Sequence, residues 1–136
     1  MAKKKSKAFR IESKAPVGAG PIDAFLSIPR DDGRIGVDLR YFQKRHECFS
    51  EWAKDDLKAF SNWVEKMSGR TESQITAITQ TCHAHKGKTK KLPAGISPDV
   101  KLYELDVGAK SRVHGFFLAG HFYLIWLDRN HAILKG

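Results

Sequence analysis

The sequence predicts an α+β domain in which two helices pack on one face of a mainly antiparallel sheet, in the order β-α-α-β-β-β. Three observations predict it. "RIGVDLRYF" alternates apolar and polar residues, the apolar residues of 49–67 recur at steps of three and four, and three β-rich runs follow Lys101. A strand, then helices, then a run of strands is the pattern of helices segregated to one face of an antiparallel sheet.

In chain order, residues 1–34 read as a basic, partly disordered extension. Lys3, Lys4, Lys5, Lys7, Arg10 and Lys14 stand against Glu12 alone in the first fourteen positions. The stretch that follows is rich in Pro and Gly and lacks periodicity, with Ile22, Phe25, Leu26 and Ile28 able to dock a short turn. The domain proper spans 35–136. It opens on Ile35, Val37, Leu39 and Tyr41 alternating with Gly36, Asp38, Arg40 and Phe42, a half-buried strand. Phe49, Trp52, Ala53, Leu57, Phe60, Trp63, Val64 and Met67 then draw one apolar stripe, as a core-facing helix does, and Gly69 suits its left-handed cap. Thr71 and Gln74 fit a capping box opening a second helix through about His83, with Ile75 and Ile78 inward. A loop follows with His83, His85, Lys86, Lys88, Lys90 and Lys91 close together, then two prolines. "KLYELDV", "SRVHGFFL" and "HFYLIWLD" are the last three strands.

Register sorts the side chains of these strands by face. Leu118-Ala119-Gly120-His121 suits a two-residue turn, with Gly120 at positive φ. Leu118 then pairs with His121, and Arg112, His114 and Phe116 share a face with Tyr123, Ile125 and Leu127. Steps of two add Arg129 and His131. Val113, Gly115, Phe117, Phe122, Leu124 and Trp126 form the opposite, core face. A three-residue loop from Gly108 to Lys110 places Glu104 and Asp106 beside Arg112 and His114, whereas a four-residue loop would bury both carboxylates in the core. Glu104, Asp106, Arg112, His114, Tyr123, Arg129 and His131 thus converge on the face away from the helices.

Composition bounds the partners. Lys+Arg outnumber Asp+Glu by 24 to 15, a net charge of +9, which favours nucleic acid over membrane as the polyanion. Cys48 and Cys82 are too few for a disulfide framework and read as reduced thiols of a cytoplasmic protein. No apolar h-region follows the basic N-terminus, and no apolar run approaches the roughly 18 residues of a membrane span. Cys82, His83 and His85 do not add up to a zinc set, because no paired CxxC accompanies them. No metal or cofactor is expected.

Carboxylate, guanidinium, imidazole and phenol groups around one groove match metal-independent RNA cleavage. A base takes the ribose 2′-OH proton, a cation stabilises the phosphorane-like transition state, and an acid protonates the departing 5′-oxygen. Ordinary cross-strand charge pairs, Glu104 with His114 or Asp106 with Arg112, would produce the same convergence without chemistry.

The element order, the basic loop before the last strands and the ending "RVHGFFLAGHFYLIWLDRNHAI" resemble the RelE/YoeB/ParE superfamily of type II toxins over residues 35–134. The family's ending has an arginine entering one strand and a His or Tyr near the C-terminus. The resemblance implies a RelE-like fold and an endoribonuclease that cleaves mRNA at the ribosome, controlled by a cognate antitoxin. It implies that Arg112 stabilises phosphate, that His131 is the acid or base, and that Lys88, Lys90 and Lys91 hold the RNA backbone; Lys86 and His114 are further RNA-binding candidates. Glu104 is the candidate acidic partner, with Tyr123 and Arg129 secondary catalytic candidates. His114 stands where the motif usually has an aromatic. Two other readings stay open: a non-catalytic basic nucleic-acid-binding module, and a ParE-like gyrase-directed toxin on the same fold.

Overall fold

The computed structural model describes residues 33–86 and 91–134. Residues 1–32 of the basic extension, with Ile22, Phe25, Leu26 and Ile28, and the loop residues Lys88 and Lys90, lie outside the described residues. The fold is α+β: a five-stranded mixed sheet with two helices on one face.

The first strand, β1 (Gly36–Asp38), is shorter than the alternation suggests. Asp38 Oδ1 accepts the Arg40 N–H at 2.7 Å, an Asx-type turn that takes the backbone out of the ladder. Ile35 and Val37 consequently join the helix-side core, while Leu39 is exposed and Tyr41 crosses to the other face of the sheet.

The apolar stripe of 49–67 is not one helix. Phe49–Glu51 form a 3₁₀ turn, Trp52 is extended, and α1 (Lys54–Met67) begins after it. Asp56 accepts the Ala53 N–H at 3.1 Å, and acidic first-turn and basic last-turn residues suit the helix dipole. The stripe still serves one core. Phe49, Phe60, Trp63 and Phe122 pack in succession, edge to face or tilted, with ring centroids 5.1–5.9 Å apart. Gly69 does not adopt the expected left-handed conformation. Ser68 instead donates its hydroxyl to Glu65 O and Gly69 its N–H to Lys66 O.

The Thr71–Gln74 capping box is present: Thr71 Oγ1 accepts the Gln74 N–H and Gln74 Oε1 accepts the Thr71 N–H. The helix it opens, α2 (Glu72–Thr76), ends far short of His83. Thr76, Ile78, Thr79 and Thr81 are β-branched and lose side-chain freedom in a helix. The chain turns on Ile78 O and enters an extra strand, β2 (Cys82–Ala84).

The remaining strands are β3 (Tyr103–Asp106), β4 (Arg112–Leu118) and β5 (His121–Asp128), in the sheet order β1-β5-β4-β3-β2. The observed order is therefore β-α-α-β-β-β-β, and β1 lies parallel to β5 while all other pairs are antiparallel. Val107 and Ser111 close the three-residue loop, and Glu104 pairs with His114 and Asp106 with Arg112, as expected.

The β4–β5 hairpin follows the expected register from Leu118↔His121 to Gly115↔Leu124, then slips by one. His114 pairs with Trp126, Val113 with Leu127 and Arg112 with Asp128. Ile125 is thus the extra residue of a β-bulge. Its carbonyl accepts the Gln43 N–H at 2.8 Å. Gly115 accommodates the slip, since a Cβ there would lie 2.0 Å from Tyr123 O. Beyond the bulge the expected faces exchange: Leu127 enters the helix-side core, Trp126 joins the opposite face, and Asp128 comes beside Arg112.

The face away from the helices is not an open groove. Leu92, Ile96, Val100 and Leu102 cover Phe116, Ile125 and Trp126, together with Tyr41 and Ile133. Among the described residues, no helix is long and apolar enough to cross a membrane.

Candidate functional site

Two rows of polar side chains run across the covered face. His83 on β2, Glu104 on β3 and His114 on β4 are direct cross-strand neighbours, and Asp106, Arg112 and Asp128 form the next row on β3, β4 and β5. Alternation along β2 sends Cys82 into the helix-side core and His83 to this face, with His85 two residues on returning to it. Cys82 is thereby separated from both histidines. Burial, then Asp106, pushes its thiol up to about 11.

Glu104 is the centre of the first row. Its side chain is 4% exposed, and it faces His131 Nε2 at 3.0 Å, His83 Nδ1 at 3.6 Å and His114 Nε2 at 3.8 Å. His131 and His83 are 37% and 45% exposed, so a buried carboxylate holds two imidazoles that reach solvent.

His131 reaches Glu104 from the turn after β5, not from the strand itself. The turn puts His131 at φ 54, a left-handed conformation that histidine adopts more readily than most residues. Asp128 shapes the turn: Oδ1 accepts the Ala132 N–H at 2.7 Å and Oδ2 the Ile133 N–H at 3.0 Å. The same Oδ2 lies 2.9 Å from His114 Nε2, and His114 Nδ1 lies 2.8 Å from His85 Nε2. Burial alone would raise the Asp128 carboxyl, but the hydrogen bonds from His114, Ala132 and Ile133 outweigh it and hold it at about 2. Burial, then the His114 imidazole, pushes His85 down to about 4. Asp128 is an anion and His85 neutral at pH 7.

The sequence-predicted residues divide accordingly. Glu104, His114 and His131 come together. Arg112 lies in the adjoining row, but its guanidinium faces inward: Nε sits 2.8 Å from Asp106 Oδ1, and Nη1 donates to Gly108 O and Ser111 O. Tyr123 stacks on Phe116 with ring centroids 5.0 Å apart, beside Tyr41, in the second apolar cluster. Arg129 donates its backbone N–H to Glu47 and Nη1 to Glu51 O, tying the end of β5 to the segment before α1. Lys86 and Lys91 are exposed at either side of the interval that contains Lys88 and Lys90.

Sequence reasoning missed His83, His85 and Asp128 as members. The His-x-His spacing was the available signal, since alternate residues of a strand share a face, but it lay where a helix end was expected. His83, Glu104 and Asp106 bring ligand atoms within 4.8 Å of one another, as do Glu104, His114 and Asp128. Arg112 already pairs with Asp106 and His114 with Asp128, so neither set is read as a metal centre.

No protein-family model, curated protein or solved structure matches the chain.

Proposed function

We propose that this protein is a metal-independent endoribonuclease that cleaves mRNA at the ribosome, as the toxin of a type II toxin–antitoxin pair in the cytoplasm. The observation that carries the proposal is the pair of solvent-reaching imidazoles, His83 and His131, on the single buried carboxylate of Glu104. Imidazoles exchange protons near neutral pH, and a carboxylate behind them orients the rings and stabilises the protonated form. His131 gives its proton to the departing 5′-oxygen. A neutral imidazole on the same face takes the 2′-OH proton, and the 2′-oxygen attacks phosphorus, leaving a 2′,3′-cyclic phosphate.

Phosphate charge falls to the protonated imidazoles and to exposed Lys86 and Lys91, because the contacts of Arg112 lie within the protein. The net charge of +9 supports a polyanionic substrate, and the C-terminal sequence resemblance supports the toxin reading and an acidic antitoxin over the basic margin.

The test is RNA cleavage in a ribosome-containing translation mixture, with mapped mRNA ends, for wild type and His131→Ala. Wild-type cleavage should leave cyclic phosphate ends, and His131→Ala should lose roughly 10²-fold or more in rate with RNA binding kept. Intact mRNA with both proteins, alongside salt-sensitive RNA retention, would replace the enzyme by a binding module.

A further inference from the structure

On the helix side of the sheet, where α1, α2 and β3 meet, lies a solvent-accessible cavity of about 200 Å³. Trp63 and Met67 of α1, Ile75 of α2, Ile78 and Leu105 of β3 make its apolar wall. α2 stops at Thr76 and the chain turns on Ile78 O into β2, which brings Ile78 and Thr81 to the border of the cavity. The Thr81 hydroxyl there already donates to Ile78 O.

The charges around this wall are lopsided. Lys66 is exposed and Arg70 half-buried, and neither side chain has a hydrogen bond or an ion pair among the described residues. The acid at the border, Asp106, lies 2.8 Å from Arg112 Nε and is balanced by it. The backbone at the end of α1 is satisfied as well: Val64 O, Lys66 O and Met67 O accept the N–H groups of Ser68, Gly69 and Arg70. Two unpaired cations beside an apolar wall complement a ligand with an apolar body and carboxylates around it.

Size narrows the ligand further. A cavity of roughly 150 Å³ takes up benzene, whereas sites that enclose a whole small ligand run from roughly 300 to 1,000 Å³. The cavity therefore matches one ring, the scale of a single anchoring side chain. A nucleobase fits the chemistry less well, because its polar edges would meet a wall with no free hydrogen-bonding group.

We propose that this cavity receives the aromatic side chain of an acidic peptide segment of a partner protein, with carboxylates on either side of the anchor resting on Lys66 and Arg70. Burial of the ring beside Trp63 supplies most of the affinity, and the cations orient the segment and speed its approach. The cavity is on the opposite side of the sheet from Glu104, His83 and His131. The proposal therefore goes beyond the RNA-cleavage reading, and the segment binds while the two imidazoles stay open to solvent.

The experiment is methyl NMR of the full chain at low ionic strength, titrated with the pentapeptide acetyl-Asp-Glu-Phe-Glu-Asp-amide. Two control peptides carry Ala in place of Phe, or Lys in place of each acid. The Met67, Ile75 and Ile78 methyls should shift with the probe, and both controls should bind at least about tenfold more weakly. Lys66→Ala/Arg70→Ala should weaken the probe roughly three- to tenfold with Tm unchanged, since neither side chain is used by the fold.

Equal binding of the Lys control, an unchanged affinity in the double variant, or shifts confined to other methyls would overturn the proposal. Phenylacetate bound as tightly as the probe would make the cavity a small-anion site instead, and hexauridylate moving the same methyls would make it a nucleic-acid site. Contacts of those methyls with the chain's own Phe25 or Leu26 before any peptide is added would likewise remove the partner.

Discussion

Replacing Asp128 by asparagine should make the protein less stable by an amount that depends on pH. The carboxylate is 2% exposed and accepts hydrogen bonds from His114, Ala132 and Ile133. Its titration falls from an ordinary 3.8 to about 2 on folding. At about 1.4 kcal/mol per pH unit, that is about 2 kcal/mol of folding free energy carried by the ionised form. On acidification the unfolded chain takes up this proton first, so the contribution is complete above about pH 4 and is lost as the pH falls through 2. His85, linked to Asp128 through His114, loses stability over a higher window, from 6.5 down to about 4, so both proteins carry His85→Ala for this comparison. Urea denaturation followed by circular dichroism at pH 7, 5 and 3 measures this. The protein that keeps Asp128 should exceed Asp128→Asn by about 2 kcal/mol at pH 7 and 5, and by less at pH 3. A difference as large at pH 3 as at pH 7 would refute the argument, because shape rather than charge would then account for it.

Gly115→Ala should destabilise the fold by about 3 kcal/mol or more, because its Cβ would lie 2.0 Å from the backbone oxygen of Tyr123; a denaturation midpoint close to wild type would contradict that geometry. Ala119 holds φ 50 at the exposed tip of the β4–β5 turn, so Ala119→Gly should raise stability by up to about 1 kcal/mol, read as a higher Tm. The two thiols should react at different rates. Hydrogen bonding from Ser50 lowers the Cys48 pKa, whereas burial raises that of Cys82 to about 11. Iodoacetamide at pH 8 should add a single label at Cys48 before any at Cys82, as read by peptide mass spectrometry.

Local chemistry was legible wherever a nearby residue decided the structure. The Thr71–Gln74 cap, the tight turn at Gly120 and the three-residue loop that sets Glu104 opposite His114 all follow from neighbouring residues and the cost of burying carboxylates. The bulge was not legible. Leu124, Ile125, Trp126 and Leu127 are all apolar because both faces of the sheet are covered, so alternation, the usual marker of register, is absent there. That single extra residue hid Asp128, which a regular strand would have sent to the helix side. β2 was hidden for a different reason. At three residues it carries too little pattern of its own, and it is defined by pairing with β3. Coverage of the polar face by Leu92, Ile96, Val100 and Leu102 comes from a Pro- and Gly-containing segment with no period. The site was consequently expected as a surface groove, whereas Glu104, His114 and Asp128 are buried.

The parallel pairing of β1 with β5 bears on how the chain is made. Gly36 and Val37 find their partners at His121 and Phe122, so the edge of the sheet closes only after nearly the whole domain has left the ribosome. Closing so long a loop carries an entropic cost that local contacts do not share, and topologies of this kind fold slowly. Until β5 arrives, the helix-side core lacks Phe122, Leu124 and Leu127, and Trp63 of α1 has no Phe122 ring to pack against. During synthesis the emerging chain therefore carries a helix face suited to chaperone capture, and premature termination before β5 should yield aggregating fragments rather than a smaller folded domain.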